Sequence, residues 1–314
     1  MKVAIVGCGG ISHAHFNSWR RMEDVTIVGV CDVRPECMTE YVNACKAHPY
    51  EDCRTMLETE KPDILDICLP TYLHVEYSLM ALEMGINVVC EKPISLKRED
   101  VARVYGTAKK HNCKFMVAQV LRFWPEFSEL KEIIETERYG KLLSGEMHRL
   151  GYRPNWSWNG WMTKKELSGM VPYDLHIHDL DWLVYALGAP KSAVRYRTER
   201  PDQDFLHAVY DYGDYFIMCD SSWFKGKIPW NSGFRFQFEE AVVINNNGSL
   251  AVYDKDGTAQ EGVAAADSGV LNLPTTDAYY NELRYFADCV KENRDPDRVK
   301  PEELETVIDL LNAF

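Results

Sequence analysis

Over the first 120 residues, short apolar runs alternate with longer stretches in which apolar residues recur every three or four positions. The runs at 3–6, 26–31, 64–69, 87–90 and 114–118 are rich in Val and Ile and flanked by Gly, Pro, Asp or Asn, which predicts buried strands. Between them the 3.6-residue period is clearest at 75–84 and 99–111, which predicts helices. Uninterrupted apolar strands separated by helices require a parallel sheet covered on both faces. After about Gln119 the texture changes. A helix is expected at 125–136, followed by period-two alternation in Leu143-Ser144-Gly145-Glu146-Met147-His148 and Phe234-Arg235-Phe236-Gln237-Phe238. Such alternation marks antiparallel strands with one wet face. Tyr212-Gly213-Asp214 and Asn246-Asn247-Gly248 are turn signals, and helical patterns at 278–292 and 301–312 close the chain. The expected fold class is α/β: a parallel-sheet domain over 1–120, then an α+β domain over 121–314 with a largely antiparallel open sheet.

Composition removes several function classes. A formal net charge of -13 with no basic stripe argues against a nucleic-acid partner. The ten cysteines contain no Cys-x-x-Cys pair, and Cys8, Cys31, Cys68 and Cys90 sit in or beside apolar runs, where cysteine acts as a small hydrophobe. Reduced thiols are expected. No apolar stretch is long enough to span a membrane, and Met1 leads straight into a strand pattern rather than a signal peptide. A cytoplasmic protein is the expectation.

Gly7-Cys8-Gly9-Gly10-Ile11-Ser12 stands between the first strand and the first helix. Glycines there allow a tight turn and close backbone approach, and the helix N-terminus favours a pyrophosphate. Ser12 replaces the last small residue of the dinucleotide fingerprint. The second strand then ends at Asp32, where an acid is placed to bind ribose hydroxyls. A carboxylate at that point repels a 2′-phosphate and favours NAD over NADP. Arg34 is read as a solvated arginine before Pro35.

Further segments carry a more specific pattern. They are Cys68-Leu69-Pro70-Thr71-Tyr72-Leu73-His74, then Cys90-Glu91-Lys92-Pro93, Gln119-x-x-Arg122-Phe123, and Tyr173-Asp174-Leu175-His176-Ile177-His178-Asp179. With the glycine turn they resemble the glucose–fructose oxidoreductase and inositol dehydrogenase family along essentially the whole chain. The resemblance implies an N-terminal Rossmann dinucleotide-binding domain and hydride transfer between NAD and a hydroxyl carbon of a sugar, polyol or inositol. It implies Lys92, Asp174 and His178 as catalytic residues, with Lys92 on the reacting hydroxyl and His178 as acid or base. Gly7, Gly9, Gly10, Ile11, Asp32, Pro70, Thr71, His74, Glu91, Lys92 and Gln119 are then expected at the cofactor, and Arg122, Trp161 and His176 at the substrate. The residue types suit the chemistry, because histidine titrates near working pH and an ammonium stabilises a developing alkoxide.

Two departures from the family pattern stand out. His176 occupies a position where glycine is usual, and Ser168-Gly169-Met170 replaces a common glycine pair. His176 is therefore expected to reach into the substrate pocket. The aromatic stretch at 152–161, with Trp156, Trp158 and Trp161, offers faces for sugar C–H surfaces or for core packing. Asp174, His176 and His178 also have the composition of a metal cluster, but helical flanks turn His176 away from the other two, and no metal is expected. An NAD-using glycosidase and a non-catalytic NAD-binding sensor are the competing readings. A homodimer or homotetramer is expected from the exposed sheet face.

Overall fold

The computed structural model describes residues 1–246, 248–257, 259–264, 266–267, 274–275 and 277–314. The chain divides into two compact units, Met1–Val120 with Tyr279–Glu305, and Leu121–Ala278 with Thr306–Phe314.

The first unit is built on six parallel strands: β1 (Lys2–Val6), β2 (Thr26–Cys31), β3 (His48–Tyr50), β4 (Ile64–Ile67), β5 (Asn87–Glu91) and β6 (Phe115–Ala118). Their spatial order is β3-β2-β1-β4-β5-β6, so the winding reverses between β1 and β4. Ligands of open α/β sheets bind beyond the carboxyl ends of the strands at such a reversal. The helices between strands are α1 (Ser12–Trp19), α2 (Thr39–Cys45), α3 (Cys53–Glu60), α4 (His74–Glu83) and α5 (Arg98–Lys110). In α5, Val101, Val104 and Ala108 form the buried stripe. Acids in its first turn and lysines in its last complement the helix dipole. β3 has no counterpart in the sequence pattern. It is a three-residue edge strand, mostly exposed and containing Pro49, a residue whose missing donor is tolerated only at an edge.

The second unit contains α6 (Pro125–Glu135), β7 (Leu142–Tyr152), α7 (Lys165–Ser168), α8 (Ile177–Leu187) and then β8 (Ser192–Arg200) to β9 (Gln203–Asp211). β10 (Phe216–Phe224), β11 (Asn231–Phe238), β12 (Ala241–Asn246), β13 (Ser249–Asp254) and β14 (Ala259–Ala264) follow. Among the described residues they form an eight-stranded sheet, β14-β13-β12-β11-β7-β10-β9-β8, antiparallel except where β10 runs parallel to β7. The turn signal at 212–214 separates β9 from β10. At 246–248, Asn247 lies outside the described residues. One sheet face is covered through aromatic contacts: Phe127 of α6 lies 5.1 Å from Phe234, and Trp182 of α8 lies 5.9 Å from Phe236. The other face exposes Val194, Tyr196, Phe205, Phe216 and Tyr253.

The expected division into consecutive domains, 1–120 and 121–314, changes at the C-terminus. Helix α9 (Ala278–Glu292) and the segment after it return to the first unit, where Arg284 pairs with Asp24 and Lys114 with Asp295. The buried Leu283, Phe286 and Ala287 supply the apolar face of α9. The last helix, α10, spans Pro301–Leu311. No helix among the described residues is long and apolar enough to cross a membrane.

Candidate active site

The glycine turn is fixed by close backbone packing. Gly7 has φ +88°, its N–H donates to the Cys31 carbonyl at 2.8 Å, and a Cβ there would stand 2.5 Å from the Cys68 carbonyl oxygen. Only glycine satisfies both demands. Gly9 faces open space, Gly10 is exposed and Ile11 half-buried, and no side chain caps the N-terminus of α1. Ser12 ties the turn from below, donating to the Gly9 carbonyl at 2.6 Å and meeting the Tyr41 hydroxyl at 2.7 Å.

Asp32 closes β2 and is almost fully buried. Its carboxylate accepts the Cys8 N–H at 2.9 Å and the Arg34 N–H at 2.9 Å, joining the glycine turn to the second strand end. The Arg34 guanidinium folds back on it, at 3.1 and 3.2 Å. Arg34 is thus an ion-pair partner of Asp32, with 31% of its side chain still exposed before Pro35.

At the ends of β4 and β5 the structure places the other expected cofactor residues. Pro70 and Lys92 are half-buried, Thr71 and Glu91 buried, and the Lys92–Pro93 peptide is cis. Gln119 is buried just beyond β6. His74 does not offer its ring to an open surface. It is buried, with Nδ1 2.6 Å from the Pro93 carbonyl oxygen and Nε2 2.7 Å from that of Leu69. Its place is behind the two turns.

A buried charged group not expected from the sequence lies under these strand ends. His15 of α1 directs Nδ1 at the Asp66 carboxylate and Nε2 at the Glu91 carboxylate, each at 3.0 Å. Asp66 also accepts from Trp19 Nε1 at 2.7 Å and from Cys68 Sγ at 3.6 Å. Burial opposes a charge on His15, but the facing Asp66, with Cys68, holds its pKa well above the ordinary imidazole value. Burial likewise opposes charge on Glu91. The hydrogen bond and charge of His15, then Lys92, keep that carboxyl below its ordinary range. The signal was legible in Ile64-Leu65-Asp66-Ile67, because an acid inside a wholly buried strand must find a partner.

In the second unit, Gly169 (φ +72°) and Met170 (φ +64°) turn the chain through two left-handed residues. A Cβ at Gly169 would fall 2.3 Å from the Tyr173 ring. Met170 is held in this unfavourable region by burial against Val171, Leu175, Leu206 and Trp223. Pro172–His176 is then a π-helical turn, a feature frequent at functional sites, and it runs into α8. Asp174 and His178 are half-buried on this segment. Asp181, one turn on in α8, is buried and pairs with Arg122.

The expected substrate residues are placed unequally. Arg122 is wholly buried, donating through Nε and Nη2 to Asp181 at 2.8 and 2.6 Å, with Tyr185 4.7 Å beneath its guanidinium. His176 is also wholly buried, its Nε2 2.6 Å from the Tyr210 hydroxyl and its ring 5.3 Å from Phe314. Burial first, then the Arg195 and Arg149 charges, push its pKa down to about 3. These are the positions of core polar residues, unlike the pocket contacts expected. Trp161 is half-buried, and Trp156 and Trp158 are exposed. Among the described residues, the three side chains whose donor atoms cluster within 4.8 Å are His15, Asp66 and Cys68. Asp174, His176 and His178 form no such group.

Residues 1–119 match the family described as "Oxidoreductase family, NAD-binding Rossmann fold", and residues 127–242 match the GFO/IDH/MocA C-terminal domain. The chain belongs to the Gfo/Idh/MocA family. Similar members include the D-glucoside 3-dehydrogenase of Escherichia coli (strain K12), 33% identical over 199 residues, which are 60% of this chain and 55% of that one. The 2,7-anhydro-N-acetylneuraminate hydratase of Mediterraneibacter gnavus is 30% identical over 254 residues, 79% of this chain and 66% of that one. The chain thus spans between half and two thirds of these Gfo/Idh/MocA relatives. The same fold is seen in an oxidoreductase from Agrobacterium radiobacter solved with NAD+, L-tartaric acid and magnesium. Its TM-score is 0.83 at 17% identity, covering 100% of this chain and 94% of that one.

Proposed function

We propose that this chain is an NAD-dependent oxidoreductase acting at a hydroxyl-bearing carbon of a sugar, polyol or inositol. The observation that carries the reading is the cradle at the β1–β4 reversal. Gly7 admits no side chain, the N-terminus of α1 has no side-chain cap, and a buried carboxylate closes β2. That donor set fits a dinucleotide: amides for the pyrophosphate at Gly9, Gly10 and Ile11, and Asp32 for the ribose. NAD, when bound, supplies the acceptor for a hydride. Pro70, Thr71, Glu91 and Gln119 belong to its nicotinamide side, with His74 setting the turns. NADP is disfavoured by the charge of Asp32.

Lys92 holds the reacting hydroxyl oxygen, and its ammonium stabilises the negative charge that develops there. His178 takes the hydroxyl proton, and Asp174 orients it. Trp161 offers an aromatic face to the substrate. The substrate class is supported by the D-glucoside 3-dehydrogenase relative.

The hydratase relative favours a second reading on the same residues, in which the hydride is removed and later returned. A transient ketone acidifies the neighbouring C–H, so a group can be lost or water added with no net oxidation. We place the protein in the cytoplasm, and the apolar side chains on the uncovered sheet face support a homodimer or homotetramer.

The test is a panel of glycosides, free sugars, polyols and inositols, followed by NADH absorbance and by product analysis in the presence of chelator. Net NADH formation with one substrate class supports the dehydrogenase. Conversion without net NADH supports the second reading. NAD binding with no conversion of any kind would leave a sensor.

A further inference from the structure

His15 has no role in the proposed chemistry, yet it is fully buried among the strand ends that lead to Lys92. It lies on the turn of α1 that faces β4 and β5, directly under the reversal of strand order. Asp66 is fully buried and Glu91 nearly so. Each ring nitrogen of His15 faces a carboxylate oxygen at 3.0 Å, and an ionised carboxylate only accepts hydrogen bonds, so a ring that donates to both is an imidazolium. The second oxygen of Glu91 accepts the backbone N–H of Lys92 at 3.0 Å. The chain of contacts therefore runs Asp66–His15–Glu91–Lys92 without a gap.

We propose that His15 is a positioning residue, clamped between Asp66 and Glu91 so that Glu91 stays ionised and fixes the backbone of Lys92. The inference rests on the function proposed for Lys92. Its physical core is charge balance. Two buried carboxylates on adjacent strands repel, and one must bind a proton unless a cation lies between them. The groups facing the clamp are Asp66 and Cys68 from β4 and its extension, Glu91 from β5 and Lys92 just after it, His74 from α4, Trp19 from α1 and the Tyr279 ring of α9 at 5.7 Å. Among the described residues, His15 is the side chain that meets both carboxylates and can carry a positive charge between them. Its removal leaves Glu91 to protonate, and a protonated carboxyl is a weaker acceptor for the Lys92 amide.

The experiment has two parts on the full chain. In protein with 15N-labelled histidine rings, one imidazole should keep both nitrogens protonated at about pH 8, above the ordinary imidazole range, and that signal should vanish in His15→Gln. Secondly, His15→Gln should lower kcat on the best substrate by about 10- to 100-fold while changing the NADH Kd far less. It should also move the acid limb of kcat/KM to higher pH. Adding Asp66→Asn, which removes the surplus charge, should recover about tenfold and return the limb. A neutral His15 ring would overturn the proposal, as would an Asp66→Asn addition that restores neither rate nor limb in a folded protein. If the wild type converts no substrate, the proposed function fails, and the ring signal still decides the state of His15.

Discussion

His74 and Pro93 are joined at 2.6 Å, from the Nδ1 of a buried ring to the carbonyl of the residue after Lys92. The other ring nitrogen reaches Leu69, so one side chain spans the turns that carry Pro70–Thr71 and Lys92. His74→Ala removes both contacts and leaves a cavity. The expected loss of stability is about 2–4 kcal/mol, read from urea unfolding. NADH binding should weaken as well. An unchanged unfolding midpoint would contradict the bridging role.

Asp32 is bonded both to the glycine turn and to Arg34. The native protein should bind NAD(H) more tightly than NADP(H) in fluorescence titrations. Asp32→Ser removes the charge that repels a 2′-phosphate and frees the Arg34 guanidinium. The gap should narrow by about tenfold or more, the equivalent of one modest charge contact. A native preference for NADP(H) would mean that Arg34 governs selection.

Arg122 and Asp181 form a buried bidentate pair, and this sets a prediction opposite to that of a substrate contact. Arg122→Ala leaves a buried carboxylate without its partner and should destabilise the protein by about 3–5 kcal/mol. The double replacement Arg122→Met with Asp181→Leu should recover most of that loss. A raised KM in a fully stable Arg122→Ala protein would restore the arginine to the substrate.

His176 should make the protein acid-sensitive. The folded ring resists protonation down to about 3, whereas the unfolded chain takes the proton near its ordinary 6.5. Between those values the unfolded state binds more protons, so stability falls as pH drops below 6.5. His176→Gln should flatten this fall in unfolding curves taken from about pH 7.5 to 5. Parallel curves for the two proteins would show that the ring carries no such linkage.

The parallel sheet was legible because strands covered on both faces must be apolar throughout, as in Val3-Ala4-Ile5-Val6. β3 escaped because an exposed edge strand of three residues carries no such pattern. The glycine turn and Asp32 were legible from their spacing, since the turn geometry demands particular residue types. His176 and Arg122 were misplaced for the converse reason. A polar residue type does not reveal its own burial, and both find partners far along the chain, in Tyr210 and Asp181. An amphipathic pattern shows that α9 needs a core to cover, but not which core.

The central claim is that Lys92 and His178 act in the chemical step on the substrate hydroxyl. Lys92→Ala and His178→Ala should each slow turnover of the best substrate by about 100- to 10,000-fold. Their NADH affinity should change much less than turnover, because the glycine turn and Asp32, which hold the pyrophosphate and adenosine half, are untouched. The decisive measurement is kcat beside NADH Kd for both variants. A large fall in kcat with a much smaller change in Kd is the predicted result, and near-normal kcat in either variant would contradict the assignment.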